Sequence, residues 1–410
     1  MPGPGKIALS RFSYDLPQER IAQFPLERRD ESRLLVYRNG IITGDLFTRI
    51  DHYLPEGALL VFNDTRVIHA RLQFKKPGGA GIEIFCLEPL DPPDFQLAFR
   101  AKEFCRWKCL VGNLKRWKGG DLVLENLSDG KIINLTATRT EDLGDGCHAI
   151  AFTWDPPELP FLSVLETIGQ VPLPPYIHRP AEAGDDQRYQ TIYAKNNGSV
   201  AAPTAGLHFT PEVLSRLEAK GSLFEKVTLH VGLGTFRPVT VPDISEHMMH
   251  AEQIIVKKKT IETLYNNPER PVIAVGTTSV RTLESLYWLG VKLTEGKTGT
   301  LAEVGQWDPY LTSGNSGISL KQSLGHLLEY LERNDLDALT GSTRLMIVPG
   351  YSYKVTSGLI TNFHMPQSTL LLLVAALIGN DWEKAYRYAL DHSYRFLSYG
   401  DSCLFFKNIG

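Results

Sequence analysis

Four stretches of this chain share one pattern, an apolar run that breaks into a short string of glycine, hydroxyl, histidine and phenylalanine positions. They are Val227-Thr-Leu-His-Val231 running into Gly-Leu-Gly-Thr-Phe236, Pro271-Val-Ile-Ala-Val275 running into Gly-Thr-Thr-Ser279, Leu359-Ile360 running into Thr-Asn-Phe-His364, and Gly198-Ser-Val-Ala-Ala-Pro-Thr-Ala-Gly-Leu-His-Phe-Thr210. A run such as 271–275 has no polar alternate, so it suits a strand buried on both faces, and the polar string after it suits a loop with free backbone donors. Ligands of open α/β sheets bind outside the carboxyl ends of the strands, so several such ends predict one composite pocket.

The rest of the pattern divides the chain. Arg33-Leu-Leu-Val-Tyr37 and Gly57-Ala-Leu-Leu-Val-Phe62 read as strands of the same large sheet. From about residue 72 the texture becomes short alternating segments with turn signals at Pro77-Gly-Gly79, Lys118-Gly-Gly-Asp121 and Asp129-Gly130, and helical periodicity nearly disappears. Helical spacing returns at 161–168, with Gly169 as a C-terminal cap. A second helix covers 211–220, with Thr210 as N-cap, Pro211 at its first position and Gly221 beyond its end. Thr278 or Ser279 caps an amphipathic helix reaching Trp288, and 321–333 puts Leu324, Leu327, Leu328 and Leu331 on one helix face. The fold class predicted is α/β, a large α/β sheet domain (1–71 and 159–410) interrupted by an inserted small all-β barrel-like domain (72–158).

Composition narrows the class. Hydrophobic residues at 43% and charged residues at 22% fit a globular chain and exclude collagen-like or disordered ones. A formal charge of −3 gives no overall attraction to nucleic acid, so any RNA contact has to come from a local basic patch. The first ten residues lack the apolar core of a secretory signal, and the longest apolar run, Leu370-Leu-Leu-Leu-Val-Ala-Ala-Leu-Ile378, falls short of the ~20 residues that span a bilayer. A cytoplasmic protein with no membrane role is expected, and the absence of a heptad or long exposed apolar segment suggests a monomer. Five cysteines, at 86, 105, 109, 147 and 403, suit reduced thiols.

Val231-Gly-Leu-Gly234 after a strand invites a dinucleotide site, but Arg237 stands where the third glycine belongs. His247, His250 and Glu252 loosely resemble metal ligands without the helical metalloprotease spacing, and no metal is expected. Thr277, Thr278 and Ser279 open a helix whose free N–H groups suit an anion, with plain capping as the alternative. Histidines 208, 230, 250 and 364 are suited to proton exchange, though each can equally be structural. Arg106-Trp-Lys108 and Lys115-Arg-Trp-Lys118 interleave cations with aromatics, as a single-stranded RNA surface or a solvated strand edge would.

Asn63-Asp-Thr-Arg-Val67, Pro174-Pro-Tyr-Ile177, Asp186-Gln-Arg-Tyr-Gln190, Ser199-Val-Ala-Ala-Pro-Thr-Ala-Gly-Leu-His-Phe209, Gly276-Thr-Thr-Ser-Val-Arg-Thr-Leu-Glu-Ser285 and Ser398-Tyr-Gly-Asp401 together resemble the S-adenosylmethionine:tRNA ribosyltransferase-isomerases of queuosine biosynthesis. The resemblance covers most of the chain and is weakest in the β-rich insert and across 291–340; Gln367 stands where many relatives carry Lys or Arg. It implies that S-adenosylmethionine is a consumed ribosyl donor and not a resident cofactor. The acceptor it implies is 7-aminomethyl-7-deazaguanine at the tRNA wobble position, and adenine and methionine leave. On that reading His208, His230, His250 and His364 supply general acid or base groups, and Glu252 an electrostatic partner for the sulfonium or adenine. Thr277, Thr278 and Ser279 hold the methionine carboxylate, Phe209 and Phe236 stack on adenine, and Thr204, Gly232, Gly234 and Thr235 complete the donor site. Arg106, Lys115, Arg116, Lys118 and Arg188 hold RNA backbone. A methyltransferase or nucleoside hydrolase acting on a small substrate, and a noncatalytic RNA-binding module, are the competing readings.

Overall fold

The computed structural model describes residues 5–76, 78–128, 131–232, 239, 241–294, 303–311 and 317–408. Along the first part of the chain run β1 (Arg33–Arg38), β2 (Ile41–Leu46), β3 (Leu59–Asn63) and β4 (Thr65–Val67). The insert follows, with β5 (Arg71–Lys75), β6 (Gly81–Asp91), α1 (Phe95–Arg100), β7 (Phe104–Gly112), β8 (Leu122–Ser128), β9 (Lys131–Gly144) and β10 (Cys147–Asp155). Then come α2 (Phe161–Ile168), α3 (Asp185–Arg188), β11 (Asn196–Ser199), α4 (Pro211–Ala219), β12 (Leu223–Leu229), β13 (Glu252–Lys257), α5 (Lys258–Asn266), β14 (Val272–Val275) and α6 (Thr277–Thr294). The chain closes with β15 (Glu303–Val304), α7 (Asp308–Leu311), α8 (Leu320–Arg333), β16 (Ala338–Thr343), β17 (Gly358–Asn362), α9 (Thr369–Ile378), α10 (Asp381–Asp391) and β18 (Ser402–Phe406).

The large sheet has ten strands in the order β15-β16-β13-β12-β3-β14-β17-β18-β1-β2. At its centre β12, β3, β14 and β17 are mutually parallel, while β13, β16, β18 and β2 add antiparallel contacts outside them. The central strands read as continuous apolar runs because each face has its own core. Leu59 and Val61 of β3 join Val272 and Ala274 of β14 in the cluster that includes α6 and α8, whereas Leu60, Phe62, Ile273 and Val275 pack against Val213 and Leu217 of α4. Alternate side chains of one strand therefore enter opposite layers, and none faces water.

Strands β5 to β10 form a separate six-stranded antiparallel sheet in the order β5-β6-β7-β10-β9-β8, whose two edge strands approach each other so that the sheet nearly closes into a barrel. This matches the predicted fold class. Helix α2, read from the sequence as part of the large domain, instead packs into the barrel's core. Phe161 is fully buried against the rings of Trp107, Phe152 and Trp154, and Val164 and Leu165 sit in the same cluster. Helix α4 has the expected cap, Val213 N–H donating to Thr210 Oγ1 at 3.3 Å. Helix α6, expected to be amphipathic, is buried from Thr277 through Val291, with α8 covering the side that would otherwise face solvent. Among the described residues no helix is long and apolar enough to cross a membrane.

Candidate active site

The carboxyl ends of the four parallel strands lie side by side and carry the polar strings of the sequence. Val227 pairs with Asn63, Phe62 with Val275, and Val275 with Ile360, so β12, β3, β14 and β17 end almost in register. Asn63, fully buried at the end of β3, ties these ends together. Its Nδ2 donates to Leu229 O (3.0 Å) and Thr278 Oγ1 (3.1 Å), and its Oδ1 accepts from Leu229 N (3.1 Å) and Thr65 N (3.2 Å). A cavity of about 520 Å³ opens over this edge, and Thr204, Thr277, Thr278 and His364 line it.

Gly276, at φ +91, makes the turn from β14 into α6, a conformation that favours glycine. The first N–H groups of this long helix have no intrahelical acceptor. Thr278 Oγ1 already accepts a hydrogen bond from Asn63 Nδ2, which leaves its own hydroxyl hydrogen for a ligand. Thr277 is 8% exposed, lines the cavity and has no hydrogen-bond partner for its hydroxyl among the described residues. Ser279 differs from both. It is fully buried and its hydroxyl donates back to Val275 O at 2.8 Å, so it neither caps the helix nor reaches a ligand.

The four predicted histidines are not gathered in one place. His364 lines the large cavity, with Nε2 at 2.9 Å from Thr361 Oγ1. His208 sits behind the wall: Asn362 Nδ2 donates to its Nε2 (3.1 Å), which leaves Nδ1–H to donate to Ser32 Oγ (2.8 Å). Thr204 Oγ1 in turn donates to Asn362 Oδ1 at 2.7 Å, so His208 reaches the cavity through a chain of hydrogen bonds. His230 fills a structural slot. Its Nδ1 is 2.9 Å from Thr65 Oγ1, its ring lies 5.3 Å from Phe95 of the barrel, and it packs so closely on Gly198 that a Cβ there would come within 2.6 Å of the ring. Burial lowers the pKa of His208 and of His230 to about 4 and that of His364 to about 3, so all three are neutral imidazoles at physiological pH.

His250 and Glu252 belong to a second, smaller cavity of about 110 Å³ between the barrel and the large sheet. There Glu252, 7% exposed, forms a buried ion pair with Arg281, and His250 is exposed at the rim. Gly232 lines this cavity as well, so it stands apart from Thr204 and Thr277. Phe209 lines neither. It is fully buried edge-on to Phe47 and Phe62, at centroid distances of 5.0 and 5.1 Å, and offers adenine no ring face; its role is packing. Gly234, Thr235 and Phe236 lie outside the described residues.

The queuosine biosynthesis protein family model matches residues 9–405 of this chain. The chain belongs to that family. The crystal structure of an S-adenosylmethionine tRNA ribosyltransferase from Thermotoga maritima is 30% identical, covering 97% of this chain and 100% of that one, with a TM-score of 0.45.

On the expected RNA side of this queuosine biosynthesis family member, the cations and the aromatics separate. Lys115, Arg116 and Lys118 are exposed around the β7–β8 turn, and Arg106 lies half-buried on the outward face of β7. Trp107 and Trp117 are 0% and 1% exposed, in the barrel core: strand alternation turns Trp107 of β7 inward, and Trp117, in the turn after β7, is held by its Nε1–H donating to Gly120 O at 2.8 Å, so neither provides a stacking platform. Arg188 donates to Leu26 O and borders a small hollow with Arg29, Ser32 and His208, on the large domain. Sequence reasoning missed Ser32, Asn362, Arg281 and Tyr176. Asn362 had a signal, its place two residues before His364, and Tyr176, hydrogen-bonded to Ser398 at 2.5 Å on the cavity wall, lies in the Pro-Pro-Tyr-Ile string. Ser32 had none beyond following a charged run.

Proposed function

We propose that this protein transfers and isomerises the ribosyl group of S-adenosylmethionine onto 7-aminomethyl-7-deazaguanine at the wobble position of tRNA. The products are epoxyqueuosine-tRNA, adenine and methionine. The observation that carries the reading is the coincidence of family membership over nearly the whole chain with a large cavity at the carboxyl ends of four parallel strands, where the family-like strings converge. S-adenosylmethionine is consumed in each turnover and is not a resident cofactor. The reaction takes place wherever tRNA is held, which is the cytoplasm, and a chain without a heptad segment suits a monomer.

The large cavity suits the sulfonium donor. The N-terminus of α6, with the hydroxyls of Thr277 and Thr278, is an anion seat for the methionine carboxylate. Because burial keeps His364 neutral, no imidazolium stands against the sulfonium charge; the same burial weakens the ring as a base, so a proton-accepting role for it depends on stabilisation by the bound substrate. Neutral His208 acts through Asn362 and Thr204, which makes it a positioning residue for the wall that Thr204 forms. Arg106, Lys115, Arg116 and Lys118 hold RNA backbone on the barrel side and Arg188 does so on the large domain, by charge alone. The test is to incubate the protein with S-adenosylmethionine and an anticodon stem-loop carrying 7-aminomethyl-7-deazaguanine, following RNA mass and released small molecules. A ribosyl-derived mass gain with both adenine and methionine released supports the reading; a methyl-sized gain, or no reaction by folded protein, defeats it.

A further inference from the structure

The small cavity has a floor of fixed charge. Arg281 is held on three sides, with Nε donating to Leu345 O (3.0 Å), Nη2 to Thr343 O (3.4 Å) and Nη1 to Glu252 Oε2. Burial pulls its pKa down to about 10, which leaves it charged at neutral pH. Glu252 is thereby clamped by one oxygen, while Oε1 has no hydrogen-bond partner among the described residues and faces a cavity that Glu252 itself lines. A carboxylate oxygen that accepts no hydrogen bond from the described residues and borders a cavity is an open acceptor, so this site suits a ligand edge rich in N–H groups.

We infer that this cavity receives the 7-deazaguanine base, turned out of the anticodon loop, with its adjacent N1–H and 2-amino donors directed at Glu252 Oε1. The inference rests on the proposed function and assigns its second substrate to a place. A guanine-type ring presents two neighbouring donors on that edge, whereas adenine presents one donor beside an acceptor nitrogen that the carboxylate repels. The two purine-like rings of the reaction are thus separated by chemistry, the base in this cavity and the adenosyl group in the larger one. The cavities adjoin, since Leu370 lines both and Val231 and Gly232 are neighbours in sequence, so the base's aminomethyl nitrogen can approach the donor. The entrance fits an extruded nucleotide. Lys108, half-buried on the outward face of β7 and 3.4 Å from Glu88, stands at the rim, and Arg106 lies two residues back on the same face. Cations along a strand face leading to a snug pocket would hold the phosphates that flank a flipped base.

The test compares equilibrium binding of two anticodon stem-loops, one with 7-aminomethyl-7-deazaguanine and one with adenine at the wobble position, and separately of S-adenosylmethionine. In Glu252→Gln, Arg281 claims the amide oxygen, and the NH₂ then faces the cavity and opposes the base's donors. The preference for the modified loop should fall on the order of 10- to 100-fold, the loss of a charge-assisted hydrogen bond, with S-adenosylmethionine affinity unchanged. Ala251→Trp is the second variant, because Ala251 is exposed at the rim and a bulky side chain there blocks the cavity without touching the ion pair. It should abolish the same preference even if Glu252→Gln folds poorly. Intact preference in a folded variant overturns the assignment, and so does loss of S-adenosylmethionine affinity with preference intact. Failure of the unaltered protein to bind S-adenosylmethionine or to modify the RNA defeats the proposed function itself.

Discussion

Three buried neutral histidines make the stability of this protein fall in mild acid. His208, His230 and His364 have pKa values lowered by burial to about 4, 4 and 3, against about 6.5 for a free imidazole. Each binds its proton in the unfolded chain and not in the folded one, so its contribution is present above pH 6.5 and is lost as pH falls from there towards the folded values. Between pH 7 and pH 5 the loss works out at about 1.8 kcal/mol for each residue and about 5 kcal/mol for the three, a large part of an ordinary domain's stability. The perturbation that isolates one residue is His364→Gln, which cannot titrate. Urea unfolding followed by tryptophan fluorescence at pH 7 and pH 5 gives the stability change for the parent and the variant, and shifts from carboxylates cancel in the comparison. The variant should lose about 2 kcal/mol less than the parent on acidification. Parallel profiles for the two would refute the reasoning, because His364 would then titrate alike in both states.

Other expectations follow from single contacts. Thr277→Val removes a hydroxyl with no protein partner among the described residues, so it should leave the unfolding midpoint unchanged while S-adenosylmethionine affinity, read by calorimetry, weakens about tenfold. His208→Ala cuts the chain through Asn362 to Thr204, and steady-state kinetics should show turnover falling far more than tRNA affinity; near-normal turnover would remove His208 from the site. Replacing Lys115, Arg116 and Lys118 together by Ala should make the salt dependence of tRNA binding shallower, by about 0.7 in log–log slope for each contact with single-stranded loop. An unchanged slope would return these cations to plain solvated surface.

Much of the large cavity's lining was legible because polar strings and strand ends coincide in the chain. The runs at 227–231, 271–275 and 359–360 do end at one sheet edge, and the loops after 275 and 360 line one cavity there, as the apolar-then-polar pattern predicted. Residue type could not say which side chains of these strings face the cavity. Thr277 and Ser279 are two positions apart in one string, yet the first is free over the cavity and the second is bonded to Val275 O. Phe209 follows His208, yet it packs into the core beneath the sheet. In the barrel, interleaved cations and tryptophans looked like an RNA surface, and the fold puts both tryptophans in the barrel core.

By itself the sequence determined the fold class, the strand ends that gather at one sheet edge, and the family. Those properties rest on hydrophobic period and on local strings, which neighbouring residues settle. The tertiary structure alone decided that the expected single pocket is two, with His364 and Thr277 lining one and Glu252 and His250 the other, and that His208 is hydrogen-bonded to Asn362 behind the wall. These are contacts between residues about 30 to 180 positions apart, such as Glu252 with Arg281 and His208 with Ser32 and Asn362. Burial, partner and pKa are set there by the side-by-side parallel alignment of β12, β3, β14 and β17 and the loops that meet at their ends, an arrangement that no local pattern encodes.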